Sequence, residues 1–341
     1  VREVDVSVRS LVALAVTSCL MALLLAGSLA ASQGACEEGT DRLYVVCMTT
    51  VLASVVEQVG GPYVDVEAIV PPGFCPGHYD IRPSDIEAVR QADLLIGHIA
   101  VFPWVEDLLE AAGRSVDELH MLSGPWNTPY AAISYVSNIT ALLCGHPATD
   151  STMRDYFTSA NSSLCSELHD LATELEAKAD ELGVSSVKVI CMQWQVSFVS
   201  WLGFNITATF PPPERMSPAD IEALVELGKR EGVAIVIDNL QSGTEVGTEL
   251  AREIGAEHVV LTNFPGAIPG TGTLADMIRY NAGQLFNATS RWTALSGALR
   301  DLENQLRALR DENTLLWGAV AVLAIVAITE GIIIAVWRRR A

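Results

Sequence analysis

Residues 43–70 read LYVVCMTTVLASVVEQVGGPYVDVEAIV. Leu43 to Met48 is a short apolar run of strand type. Val51 to Val59 follows with helical periodicity, and Val64 to Val70 is the next strand. Strand, helix, strand in that order is a parallel βαβ unit, because strands that alternate with helices pair side by side in one direction. The same alternation continues outward. A turn-rich loop, residues 71–78, leads to a helix over Pro83 to Gln91 that starts on Pro83 and Ser84. Asp93 to Ile96 is a strand, Trp104 to Ala112 a helix, and Leu119 to Leu122 a fourth strand.

From Ala131 to Leu182 the pattern turns helical, with Leu164, Leu168, Leu171, Leu175 and Leu182 on one face. Alternation then resumes. Strands are expected at Val187 to Cys191, Ile206 to Phe210, Val233 to Asp238 and His258 to Thr262. Helices are expected at Val196 to Leu202, Pro218 to Glu231, Thr244 to Ile254 and Thr273 to Phe286. The fold class is therefore α/β: two parallel-sheet lobes joined by a long linker helix. Ligands in such sheets sit outside the carboxyl ends of the strands, so the loops after Met48, Val70, Ile96, Cys191, Phe210, Asp238 and Thr262 should face a cleft.

The chain has 341 residues, is 50% hydrophobic, and yet carries a formal charge of −20. The two properties have different addresses. Arg2 and Arg9 balance Glu3 and Asp5 at one end. Arg338, Arg339 and Arg340 outweigh Glu330 at the other, so the middle holds the whole negative charge and two units more. An acidic middle between apolar ends excludes a polytopic membrane protein and argues against a nucleic-acid partner. It also concentrates cations near a cleft.

Residues 1–35 have the layout of a signal peptide: Arg9, an apolar run from Leu11 to Ala31, then small residues. The run is long, so an uncleaved anchor is the alternative. Gln33-Gly34-Ala35 before Cys36 makes a poor lipobox. Residues 315–337 are apolar and long enough to span a bilayer, with Trp317 and Trp337 at the interfaces. The basic tail, residues 338–341, keeps the C-terminus cytoplasmic and displays the middle outside the cell. Glu330 is costly inside that span. Residues 291–314 form a stalk in which Leu295, Leu299, Leu302, Leu306, Leu309, Asn313 and Leu316 step 4-3-4-3-4-3. That seam suits either one amphipathic helix packed on its own domain or a parallel homodimer. The resulting division is an N-terminal lobe over 36–130, a linker region over 131–184 and a C-terminal lobe over 185–290, then stalk, span and tail.

Four sequons, headed by Asn138, Asn161, Asn205 and Asn287, agree with an outside location, as for a glycoprotein. Beyond Cys19 in the leader there remain Cys36, Cys47, Cys75, Cys144, Cys165 and Cys191. An even number in an exported domain permits disulfides without telling their pairing.

Three stretches now carry a resemblance. IVPPGFCPGHYDIRPSD (residues 69–85) with QADLLI (91–96), WNTP (126–129), and EGVAIVID (231–238) with DMIRYN (276–281) resemble the metal-type, cluster A-I solute-binding proteins of ABC transporters. The resemblance covers roughly residues 43–287. It implies capture of zinc or manganese between two lobes, no enzymatic activity, and delivery to a permease and its ATPase. It also implies a ligand set of imidazoles and carboxylates split between the lobes, which suits a divalent ion.

His78 matches the family's first ligand loop, although Gly77 replaces the usual proline; the alternative is a surface turn histidine. His98 follows a strand on the same cleft edge, and could instead simply bond backbone. Asp80 could orient His78 or cap the turn. The family's second histidine falls at Gly124, its third ligand near Met192 and Gln193, and its last carboxylate near Thr262 and Asn263. None of those positions holds a histidine or a carboxylate. The C-terminal lobe offers Asp238 and Glu214 instead, each of which could equally be a hinge or capping carboxylate; Glu245 suits a helix's first turn.

Two readings follow. Either a metal site is rebuilt from His78, His98, Asp238 and Glu214, with amides, or the scaffold binds an organic ligand or metal chelate through Trp126, Trp194, Gln193, Gln195, Asn239 and Asn263. Cys75 and His78 form a Cys-x-x-His spacing that zinc accepts, though outside the cell Cys75 is expected oxidised. His120, His146, His169 and His258 are read as structural. There is no nucleophile elbow, phosphate loop or His-Glu-x-x-His motif to support an enzyme. An adhesin on a stalk is the third class.

Overall fold

The computed structural model describes residues 42–98 and 102–340. The leader, Cys36 and the residues just after His98 lie outside the described residues. In the N-terminal lobe the order is β1 (Leu43–Thr49), α1 (Thr50–Gly60), β2 (Val64–Val70), α2 (Pro83–Gln91), β3 (Leu94–His98), α3 (Pro103–Ala112) and β4 (Leu119–Leu122). Then come α4 (Pro129–Gly145) and α5 (Ser151–Leu182). The C-terminal lobe has β5 (Lys188–Met192), α6 (Val196–Trp201), β6 (Asn205–Phe210), α7 (Pro218–Glu231), β7 (Ile235–Asn239), α8 (Glu245–Ile254) and β8 (Glu257–Leu261). The last element is α9 (Leu274–Arg340).

Each lobe holds a four-stranded parallel sheet, in the orders β2-β1-β3-β4 and β6-β5-β7-β8. Both orders reverse direction beside the first strand, which places a crevice at the carboxyl ends of β1 and β3, and of β5 and β7. Period two divides each strand between two cores. Val45, Cys47 and Ile96 join Val189, Cys191, Ile235 and Ile237 in one large core that also takes in α1, α4, α5 and the start of α9. Val46, Met48 and Leu95 pack under α2 and α3, while Ile190, Met192 and Val236 pack under α7 and α8.

The linker region is two helices, not one, since Pro147 breaks the run. The second is the long one. Asp150 accepts from the Met153 amide at 2.8 Å to start α5, and Gly183, at φ 62°, ends it in the left-handed conformation. Its 32 residues reach roughly 48 Å. Phe157 meets the Tyr63 ring of the N-terminal lobe edge-on, and Glu176 accepts from Trp201 Nε1 of the C-terminal lobe at 2.8 Å, so one rod braces both lobes.

Helix α9 opens on an N-cap: the Thr273 hydroxyl accepts from the Asp276 amide at 3.1 Å and donates to its carboxylate at 2.7 Å. It runs unbroken through the end of the lobe, the stalk and the apolar stretch. No proline interrupts residues 274–340, and the positions read as domain boundaries at 290/291 and 314/315 lie within this one helix. It contains one segment long and apolar enough to cross a membrane. All five described cysteines, Cys47, Cys75, Cys144, Cys165 and Cys191, are free, so the oxidised state expected for Cys75 has no partner among the described residues.

Candidate functional site

The loop after β2 is held by its prolines and by one tryptophan. Phe74 and His78 close turns onto Pro71 and Cys75, and Trp104 Nε1 donates to the Pro76 carbonyl at 2.7 Å. Tyr79 is buried against the Trp104 ring and donates to Asp85 at 2.7 Å; burial, then that carboxylate, push its phenol up to about 12. With Tyr79 turned inward, His78 and Asp80 on either side are exposed.

His98 lies deeper, at the carboxyl end of β3, only 9% exposed. Its Nε2 is 2.7 Å from the Thr49 hydroxyl and its Nδ1 3.4 Å from the Tyr135 hydroxyl, and its ring lies 4.5 Å from Trp126. Burial lowers its pKa to about 4, so the imidazole is neutral. Neutral imidazole is the ligating form, but here both nitrogens already face hydroxyls.

The lobes meet through amides. Trp126 Nε1 donates to the Asn263 carbonyl at 2.8 Å. Asn127 Nδ2 donates to Asn263 Oδ1 at 3.2 Å and to the Trp194 carbonyl at 3.3 Å, and Asn263 Nδ2 donates to that same carbonyl at 3.2 Å. Gln241 Nε2 reaches from the C-terminal lobe to the Pro72 carbonyl at 3.0 Å and to Thr262 at 2.9 Å. Gln195 Nε2 donates to Asn239 Oδ1 at 3.0 Å. All five amide side chains are buried, whereas the Trp194 indole is 52% exposed and Gln193 is half-buried. Two oxygens in this cluster, Asn127 Oδ1 and Gln195 Oε1, have no hydrogen-bond partner among the described residues. An unpartnered buried acceptor costs about 1–3 kcal/mol, a cost that an ordered water or a bound ion offsets.

Asp238 points the other way. It is 1% exposed, on the α8 side of its sheet, with Oδ2 2.8 Å from His258 Nε2. A Cβ on Gly247 would run into this carboxylate, so the glycine is what lets α8 lie so close. Burial raises the Asp238 pKa, while His258 pulls it down. His258, read from sequence as structural, thus has a defined partner. The register pairs Asp238 with Val260, which makes His258 a same-face diagonal neighbour. Glu214 is exposed in the turn after β6, and Glu245 sits in the first turn of α8, as expected.

The four candidates are therefore spread over two loops and two sheet faces. Among the described residues no three His, Cys, Asp or Glu side chains come together as a metal-holding group. What does converge is the set of positions where the resemblance places ligands: the loop holding Trp126, the turn at Gln193 and Trp194, and Asn263. Asn127 and Gln241 were not singled out from sequence, because a lone amide at a strand or helix end has no spacing signature.

Residues 45–288 match the family model described as ZnuA, zinc-uptake complex component A, periplasmic. The manganese ABC transporter substrate-binding lipoprotein PsaA of Streptococcus pneumoniae is 35% identical over 77 residues, 22% of this chain and 25% of that protein. The chain thus spans about a quarter of the length of the curated relatives it matches at that identity. The high-affinity zinc uptake system protein ZnuA of Bacillus subtilis is 22% identical over 291 residues, covering 74% of this chain and 87% of that one. A crystal structure of ZnuA superposes with a TM-score of 0.61 at 19% identity, covering 73% of this chain and all of the other, which shows a shared fold.

Proposed function

The chain belongs to the ZnuA family of metal-type ABC transporter solute-binding proteins, and from that premise we propose that it captures a divalent metal ion, zinc or manganese, outside the membrane. Solute-binding proteins of this family are transport components and not enzymes. The ion would be handed to a membrane permease driven by its ATPase. Residues 315–337 would anchor the head in place of a lipid, with Arg338 and the two arginines after it on the cytoplasmic side.

The observation that carries this reading is the convergence of Trp126, Trp194 and Asn263 at the contact between lobes, with two buried oxygens left without a partner among the described residues there. Carbonyl oxygens suit manganese better than zinc, which prefers imidazole and thiolate. Asn127 Oδ1 and Gln195 Oε1 are the donors we assign to the cargo, with His78 as the imidazole at the mouth of the same crevice. His98 would join by exchanging its Thr49 bond for the ion. Glu214 would supply charge from the C-terminal lobe, while Asp238 stays paired with His258 behind the sheet. The acidic head raises the local cation concentration and speeds capture. Closure would be small, because α5 braces both lobes.

A second reading, an organic ligand or a metal chelate, is favoured by the same amides and by the exposed Trp194 ring. Titration calorimetry of the full chain in detergent with manganese, zinc and magnesium separates the two. One manganese or zinc ion per chain is expected, at least tenfold weaker in Asn127→Ala and His78→Ala. Absence of binding by any ion would refute the metal reading.

A further inference from the structure

Arg291 still pairs with Glu257 and Trp292 still packs on the core; beyond them α9 leaves the body of the lobe. Leu295, Leu299, Leu302, Leu306, Leu309 and Leu316 are then each more than half exposed on a helix otherwise lined with charged and polar residues. Their steps assign Leu299, Leu306 and Asn313 to heptad position a, and Leu295, Leu302, Leu309 and Leu316 to d. Because the helix is unbroken, the same register continues into the apolar stretch as Val320, Leu323, Ala327, Glu330, Ile334 and Trp337. Apolar residues there say nothing about register, since almost every position is apolar. The ionisable one does: two of every seven positions lie on a seam, and Glu330 occupies one.

We propose that α9 pairs in parallel with α9 of a second copy, along one seam from Leu295 through the bilayer, so that Glu330 meets the partner's Glu330. This rests on reading residues 315–337 as a membrane span, and not on which ion the head carries. Two copies anchored in one membrane, each with its basic tail on the same side, can only be parallel. Asn313 at position a fits that orientation, because in a parallel pair it faces its own counterpart and fixes the register. A specific interface needs roughly 1,000 Å², and the exposed leucine strip runs for three heptads before the apolar stretch extends it.

Charge does not oppose the contact. In the stalk Arg291, Arg300, Arg307 and Arg310 balance Asp301, Glu303, Asp311 and Glu312. Repulsion between the acidic heads is screened beyond about 8 Å at physiological salt. The pair also resolves the cost of Glu330. A lone carboxyl in hydrocarbon lacks partners, whereas two facing carboxyls hydrogen-bond, the O–H of one donating to the oxygen of the other.

The test is oxidative cross-linking of the full chain in lipid vesicles, with the wild-type chain as the background for its native cysteines. Leu309→Cys and Ile334→Cys, on the seam, should be trapped largely as dimers. Ala308→Cys and Ile328→Cys, off the seam, should give no more dimer than the wild type. Glu330→Val should raise the dimer dissociation constant about fivefold, while Glu330→Gln, which keeps a hydrogen-bonding pair, should stay within about twofold. Equal trapping on and off the seam, or a monomeric wild-type chain, would overturn the pairing. Trapping at 309 without trapping at 334 would overturn the Glu330 contact. If alkaline carbonate strips the wild-type chain from vesicles, the membrane span itself is refuted, and with it the inference.

Discussion

The two lobes are built on one plan and place their polar residues differently. Ile96 of β3 stands beside Cys47, and Ile237 of β7 stands beside Cys191. Counting on from those pairs, His98 is the counterpart of Asn239, and Gly97 is the counterpart of Asp238. His98 bonds Thr49 and Asn239 bonds Gln195, both on the face turned toward the shared core. Asp238, one residue earlier, lies on the opposite face against α8 and His258. A strand turns its side chains over at every residue, so one step separates a group at the crevice from one sealed behind the sheet.

The largest test of that contrast is removal of the sealed pair. Asp238→Ala should destabilise the chain by about 2–3 kcal/mol in urea unfolding, somewhat below a fully buried pair because His258 is partly exposed. Manganese binding should be little changed. A large loss of binding with little loss of stability would instead place Asp238 at the cargo.

Next comes pH. Folded His98 takes its proton near pH 4, against 6.5 for an ordinary histidine. Between those values the unfolded chain binds more protons, so stability falls as pH drops through that window, by about 1.5 kcal/mol from pH 6.5 to 5. The raised pKa of Asp238 acts in the opposite sense at the acid end, so the slope is best read above pH 5. His98→Asn, which copies the other lobe's residue, should flatten the slope.

Asn263→Asp sharpens the comparison further. It removes the donor to the Trp194 carbonyl and sets a charge among neutral amides, costing about 1–2 kcal/mol without metal. Added manganese should restore that stability if the ion binds there. Thermal unfolding with and without the ion reads both effects. The smallest effect is expected for Trp126→Phe, which deletes one hydrogen bond between lobes, about 1 kcal/mol. Its signature should be faster amide exchange at the loops around Trp126 and Asn263.

Much of the fold is legible in residues 43–261, and the reasons are local. Pro83 and Pro218 mark helix starts, Gly232 marks a helix end, and the apolar runs at Val64 to Val70 and Leu119 to Leu122 have strand length. The linker was less legible: the helical pattern from Ala131 to Leu182 spans a break at Pro147 that a composition reading passes over. The helix expected over Thr273 to Phe286 continues to Arg340 because nothing in Asn287-Ala-Thr-Ser-Arg291 stops it.

The candidate site was harder to read. Its histidines and carboxylates are visible as residue types, but which face each occupies depends on strand parity. The amide cluster depends on contacts between residues far apart in sequence, such as Asn127 with Trp194, 67 positions away. Family resemblance pointed to Thr262-Asn263 and Met192-Gln193, where Asn263 and the adjoining Trp194 meet Asn127 across the lobes, while the side chains there are hydroxyl, amide or thioether and not the expected ligands.

Anomalous scattering from crystals of the chain grown with manganese tests the central claim most directly. The account predicts one manganese peak between the lobes, within coordination range of Asn127 Oδ1 and Gln195 Oε1. A peak at Asp238 and His258, or no peak between the lobes at saturating manganese, would contradict it.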